Sequence, residues 1–322
     1  MLLLIDGHAI LHRAFHALPP LTNSFGKQTN AVYGFTTMLL QLLTSLKPTH
    51  VVVAFDLPTP TFRMQIWTQY QEKRPEMQSN LAEQIPLVHE LLDALGVCYF
   101  EVPGYEADDV IGTLSSKTTD NSLQTTAKNA VVSSQKSVDS VAIVTGDRDM
   151  LQLINERVCV IVPLKGLTIT KTYDADTVMR EFGVRPNQWV DVKALKGDSS
   201  DNYPGVAGIG PVTAQGLIAK YETLESVYKH LEELQPKLKL KLAEGVEMAG
   251  LSQKLARIDC DVPLQFDLRK TEVSKINWKS GAEYMRSVLG FKSIVERVIK
   301  TYLKPAGETK ETKRQGEQME LI

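Results

Sequence analysis

Nine acidic residues stand at spacings that could do chemistry: Asp6, Asp56, Glu106, Asp108, Asp109, Asp147, Asp149, Asp198 and Asp201. Asp6, Asp56 and the Asp147/Asp149 pair follow three short apolar runs, Leu2 to Ile5, Val51 to Phe55 and Val141 to Val144. Glu106, Asp108 and Asp109 crowd into Gly104-Tyr105-Glu106-Ala107-Asp108-Asp109-Val110. Asp198 and Asp201, in Lys196-Gly197-Asp198-Ser199-Ser200-Asp201-Asn202, would share a face if helical. Carboxylates this dense repel one another unless cations neutralise them. Hard oxygen donors without His or Cys select Mg²⁺ or Mn²⁺. Two such ions about 4 Å apart most often serve phosphate esters, stabilising both attacking water and departing oxygen. Simpler readings stay open for parts of the set: acids in a first helical turn suit the helix dipole, and the Asp198 stretch also reads as an N-cap and turn.

The elements that would position these acids follow from hydropathy. The three apolar runs read as buried parallel strands, and Ala31 to Leu46 and Leu81 to Leu95, which stops at Gly96, as helices. Such alternation implies an α/β fold, a parallel sheet flanked by helices that binds ligands beyond the carboxyl ends of its strands. Ser115 to Ser140 is rich in small polar residues and reads as a surface loop. After about Leu164 the pattern becomes helical with intervening Gly and Pro. From Lys304 the chain is charged and nearly devoid of apolar residues, which predicts a disordered tail.

The 322 residues suit roughly two domains. With 43% hydrophobic and 23% charged residues, collagen-like and wholly disordered classes are excluded. No apolar run approaches the roughly 18 residues of a membrane span, and Leu2 to Ile5 is too short for a signal-peptide core. Cys98, Cys159 and Cys260 lack paired metal spacing, so reduced thiols are expected, with neither disulfide nor zinc. The net charge of −2 argues at first against a nucleic-acid partner. With the nine acids set aside, 36 basic residues face 29 acidic ones, and the remaining surface is basic.

At this point the motifs carry a resemblance. Leu4-Ile5-Asp6-Gly7, Asn30-Ala31-Val32-Tyr33-Gly34-Phe35, Phe55-Asp56, Pro103 to Asp109, Thr145-Gly146-Asp147-Arg148-Asp149 and Gly197 to Gly205 follow in order the pattern of the bacterial 5′ nucleases. That family comprises the 5′→3′ exonuclease domain of DNA polymerase I and the flap endonucleases. The similarity runs from Met1 to about Leu303. It implies a PIN-like domain over 1–165 with a helical arch and an insertion near 117–139. A helical helix-hairpin-helix subdomain would occupy 166–303, and the tail 304–322. All nine acids fall on family metal-binding positions, implying two or more Mg²⁺ or Mn²⁺.

The resemblance also assigns the nucleic-acid grip. Gly205, Gly208 and Gly210 precede the helix starting at Pro211, where backbone N–H groups could reach a phosphate and K⁺ could bridge it to carbonyls. Arg13 matches a DNA-facing position. Arg63, Tyr70, Lys73 and Arg74 lie in the expected arch, where cations bind phosphate and an aromatic can stack on an unpaired base. Tyr70 and Arg74 are expected in the catalytic machinery, and an ordinary solvated helix is the alternative. The family pattern Tyr-Lys-x-x-Arg is broken here by Gln71, and Lys73 would lie about 200° around a helix from that side chain. His8, His12 and His16 could form a metal stripe or a packed face. Gln318 to Ile322 resembles a sliding-clamp docking peptide, with a chance terminus or a linker to a polymerase as alternatives.

The implied function is structure-specific 5′→3′ exonuclease and flap endonuclease activity in replication and repair. It would act on nicked or branched duplex DNA with a 5′ flap and on RNA primers, in the bacterial cytoplasm at the nucleoid. If complete, the chain would be a freestanding 5′ nuclease. A branched-DNA-binding protein with weakened catalysis is the rival, resting on Gln71. A PIN-type ribonuclease is another, although it would not need the glycine turn.

Overall fold

The computed structural model describes residues 1–119, 138–165 and 169–303. Most of the expected insertion and all of the tail, including Gln318 to Ile322, lie outside the described residues.

Six strands, β1 (Leu2–Asp6), β2 (His50–Ala54), β3 (Tyr99–Phe100), β4 (Val141–Val144), β5 (Val158–Lys165) and β6 (Ile169–Tyr173), form one sheet in the order β3-β2-β1-β4-β5-β6. The first five are parallel, as expected, and β6 is antiparallel to β5 at the edge, so the sheet is mixed. The reason is the short connection from β5 to β6, which permits only an antiparallel return. In β1 the alternation divides the core: Leu2 and Leu4 face one apolar cluster, Leu3 and Ile5 the other. Burial on both faces is why this strand reads as an unbroken apolar run.

On one face lie α1 (Gly7–Ala17), α2 (Asn30–Leu46) and, after the short helices α3 (Phe62–Ile66) and α4 (Ser79–Ala82), α5 (Ile85–Leu95). The other face is covered by α6 (Ala107–Thr119). Then follow α7 (Ala175–Phe182), α8 (Trp189–Lys196), α9 (Pro211–Tyr221), α10 (Leu224–Lys229), α11 (Pro236–Glu244) and α12 (Val246–Ala256), whose buried side chains extend the same cluster as α6. The chain finally returns to the sheet. In α13 (Trp278–Ser287) a Cβ on Gly281 would lie 2.2 Å from Leu95, and Met285 of α13 and Ile294 of α14 (Lys292–Val298) join the cluster around α2 and α5. The packing therefore cuts across the expected division at residue 165, because β6 and the last two helices belong to the sheet unit. Among the described residues no helix is long and apolar enough to cross a membrane.

Candidate active site

Parallel strands end on one edge, and β1, β2 and β4 bring their acids to it. Register pairs Asp6 with Ala54, and Ile5 with both Val53 and Val144. Asp6 closes β1 and caps α1, one carboxylate oxygen accepting from Ala9 N–H (2.9 Å) and the other from the Thr145 hydroxyl (2.8 Å). The same hydroxyl accepts from Asp147 N–H (2.9 Å), and Asp147 Oδ1 accepts from Asp149 N–H (2.7 Å). Asp56 Oδ1 accepts from Ala107 N–H (2.8 Å), which aims the N-terminus of α6 at the edge. Asp56 N–H donates to His8 Nδ1 (3.1 Å).

Electrostatics follow from this crowding. Burial and then the Asp56 charge push Asp6 up to about 7, and burial outweighs Arg63 to push Glu106 up to about 7. Asp108 is raised well above the carboxylate range by burial and by Asp147 and Asp6. Deprotonating these groups together needs cations. The donor set is all oxygen, which fits hard divalent ions. Asp6, Asp56, Glu106, Asp108 and Asp147 are the residues that would hold them. No group of three or more His, Cys, Asp or Glu side chains among the described residues is gathered at metal-ligand spacing.

Asp149, Asp198 and Asp201 differ, since protein cations meet them. The Lys193 ammonium, 6% exposed, pairs with Asp149 (2.5 Å) and with Asp198. Burial and Asp147 nevertheless push Asp149 up to about 7. Burial would raise Asp198 as well, but Lys193 and the Ser200 donors hold it down at about 2. Arg74, half-exposed, donates to Asp201 Oδ1 (2.9 Å). The loop bearing Asp198 and Asp201 closes on itself through two glycines: a Cβ on Gly197 would meet Pro204 backbone at 2.5 Å, and one on Gly205 would meet Gly197 N at 2.2 Å. A cleft of about 380 Å³ leads from Asp147 and Asp149 past Lys193, Lys196 and Asp198 to Pro211.

Several expected roles change. Asp109 is fully buried, its two oxygens taking both Arg63 terminal nitrogens at 2.7 Å and also accepting from Asp259 and Glu106 N–H groups. It is a structural anchor and not a metal ligand, because consecutive helical residues point about 100° apart and Asp108 already faces the edge. Arg63 is 3% exposed and also donates to the Leu255 and Arg257 carbonyls, so it cannot grip DNA. Tyr70 is 4% exposed and donates to Glu106 (3.2 Å), as Thr61 does; it positions Glu106 and is closed to a stacking base. Gly205 is buried by its contact with Gly197 and closes the loop, and its N–H already donates to the Ser252 hydroxyl (3.0 Å).

Gly208 and Gly210 are exposed beside the N-terminus of α9, with Val212 81% exposed. Lys241 donates to the Gly208 carbonyl (2.8 Å), so the turn already carries a cation where K⁺ was expected. Lys73 is exposed and Arg13 partly so. His12 and His16 stack at 6.4 Å on an exposed face of α1. The expected arch is built of α3, turns and α4, and Gln71 sits in a left-handed turn (φ 57°), so helical spacing does not apply to it. Gln71 N–H donates to the Asp201 carbonyl (2.9 Å), and its side chain to Asp201 Oδ1 (3.4 Å). Trp67 Nε1–H donates to the Asn202 carbonyl and the Asn202 side-chain amide donates to the Gln69 carbonyl across this seam. The sequence reading passed over Lys193 and Thr145. The available signal for Lys193 was a lysine inside the apolar run Trp189-Val190-Asp191-Val192-Lys193-Ala194-Leu195.

Residues 1–183 match the 5′-3′ exonuclease N-terminal resolvase-like domain, and residues 184–279 its C-terminal SAM fold. The chain belongs to the 5′-3′ exonuclease family. DNA polymerase I of Bacillus subtilis is 37% identical over 298 residues, 92% of this chain and 32% of that protein. DNA polymerase I of Caldicellulosiruptor bescii is 40% identical over 299 residues, 92% and 33% respectively. The chain thus spans about a third of these relatives. The fold is also that of T5 5′-exonuclease in a structure with bound zinc (TM-score 0.63, 18% identity, 93% and 97% coverage). The catalytic core of Rad2 with a DNA substrate shares it as well (TM-score 0.56, 17% identity, 93% and 90% coverage).

Proposed function

We propose that this chain is a structure-specific 5′→3′ exonuclease and flap endonuclease that hydrolyses DNA and RNA-primer phosphodiesters. The observation that carries this reading is the set of Asp6, Asp56, Glu106, Asp108 and Asp147 on one sheet edge, next to an exposed glycine turn and helix N-terminus. Mg²⁺ or Mn²⁺ bound there supplies the charge that makes water a nucleophile and a departing oxygen tolerable at one phosphate. Asp6 and Asp56 are fixed by backbone N–H groups, and Glu106 by Tyr70 and Thr61, so the donors are oriented before substrate arrives. Arg74 neutralises phosphate charge from the gateway side. Gly208, Gly210 and the α9 N-terminus hold the duplex backbone without reading bases, with Lys241 as their cation and Arg13 and Lys73 as further phosphate contacts. Products carry a 5′-phosphate and a 3′-hydroxyl. The setting is replication and repair at the bacterial nucleoid, and a clamp tether through Gln318 to Ile322 would raise local concentration there.

Cleavage of a 5′-labelled flap duplex in Mg²⁺, in Mn²⁺ and in chelator, beside Asp108→Asn, tests the reading. Metal-dependent cutting near the junction, lost in the variant, is expected. Salt-sensitive flap binding with no cutting in either metal would overturn it in favour of the DNA-holding alternative that Gln71 suggests.

A further inference from the structure

The acids divide by what neutralises them, and the division bears on how many divalent ions the free protein holds. Lys193 sits on the inner face of α8 between Val192 and Ala194, with its side chain 6% exposed. Its ammonium spans Asp149, from the loop after β4, and Asp198, from the loop after α8. Those two acids belong to different elements, and the ammonium is what joins them. No comparable lysine or arginine contact is made to Asp6, Asp56, Asp108 or Asp147 among the described ion pairs, where the one basic partner is His8 beside Asp56 at 3.7 Å.

We propose that Lys193 is a tethered cation occupying the Asp149/Asp198 half of the site. The DNA-free protein then binds one divalent ion tightly, at the sheet edge, and a second enters only by displacing the Lys193 ammonium. The inference rests on the metal-dependent nuclease reading and deepens it. A lysine ammonium is a compact, strongly hydrated point charge on a flexible stem, so it can swing out to a phosphate when an ion takes its place. A guanidinium held bidentate, such as Arg63 on Asp109, could not.

The test is Mn²⁺ titration of the full DNA-free chain, followed by electron paramagnetic resonance and calorimetry, which read binding without turnover. Wild type is expected to hold one tight Mn²⁺. Lys193→Met, which keeps the buried stem and removes the charge, is expected to bind a second at least about tenfold tighter than wild type does. Adding Asp198→Asn should abolish that gain. Two equally tight ions in wild type, or no change in Lys193→Met, would overturn the proposal while leaving the nuclease reading intact. No Mn²⁺ binding at all would overturn both. Should Lys193→Met fail to fold, Asp149→Asn/Asp198→Asn settles the matter: an unchanged single tight Mn²⁺ is expected, and its loss would refute the tethered cation.

Discussion

Asp6 and Asp108 at the sheet edge and Asp149, Asp198 and Asp201 beside α8 and the gateway occupy one cleft with different partners: the second group is paired with Lys193 or Arg74, although burial still pushes Asp149 and Asp201 up. Burial and then Asp56 push Asp6 up, and burial followed by Asp147 and Asp6 pushes Asp108 up. Asp198 is held down at about 2 once Lys193 and Ser200 overcome burial, and Asp201 leans on Arg74. Similar carboxylates thus differ because of which side chains lie beside them. The first group demands cations from outside. The second arrives with protein cations already beside it, and its strength lies in arranging positive charge near a phosphate.

Removing charge sharpens that contrast most. Asp6→Asn/Asp108→Asn should reduce flap cleavage by roughly 1,000-fold or more, several kcal/mol of charge stabilisation. The same change relieves repulsion, so thermal stability in chelator at pH 8 should hold or rise. Asp109→Asn should do the reverse in scanning calorimetry. It strands the buried Arg63 guanidinium and should cost about 3–5 kcal/mol of stability, the range for breaking a buried pair. Equal melting losses in both variants would erase the distinction between ligand and anchor.

Acidity gives a second way to break the comparison. Asp6 and Glu106, with folded values near 7, hold protons that the unfolded chain has lost by about pH 4–5. The folded state binds more protons across that window, so in chelator stability falls as pH rises from about 5 to 7. Saturating Mg²⁺ should flatten the fall, because ions binding the folded state stabilise it by mass action. Melting temperatures at pH 5, 6, 7 and 8, with chelator and with Mg²⁺, measure this. A chelated protein that gains stability toward pH 8 would contradict the repulsion picture.

How much of this was legible in the sequence depends on the periodicity involved. Apolar runs ending in Asp6, Asp56 and Asp147 sufficed for the edge, because parallel strands buried on both faces leave one place for their carboxyl ends. Asp108 and Asp109 were indistinguishable, since adjacent acids at a helix start match the motif equally and only the partner across the fold, Arg63, tells anchor from ligand. Arg63 looked like a phosphate contact for the same reason: its carboxylate lies 46 residues away. Strand β6 went unseen because Ile-Thr-Lys-Thr-Tyr lies on an edge, with Ile169 52% exposed, and carries little apolar signal. Lys193 was hidden by its neighbours, which read as core.

The smallest effect tests the cation-paired half directly. Gln71 already occupies the seam, with its N–H on the Asp201 carbonyl and its amide 3.4 Å from the carboxylate, so position is supplied and charge is missing. Its left-handed backbone costs glutamine and lysine alike, so the exchange adds no new strain. Gln71→Lys would place a second cation beside Arg74, worth about 1.4 kcal/mol at this partly exposed site, or roughly tenfold in single-turnover cleavage. Mn²⁺ affinity at the sheet edge should change less than cleavage, because Gln71 contacts Asp201 and none of Asp6, Asp56, Asp108 or Asp147. Faster cleavage with a smaller change in Mn²⁺ binding would show that this half works by placing positive charge at the phosphate. Unchanged cleavage would mean that Arg74 and Lys193 already saturate that role, and that the glutamine is tolerated because the cations beside it suffice.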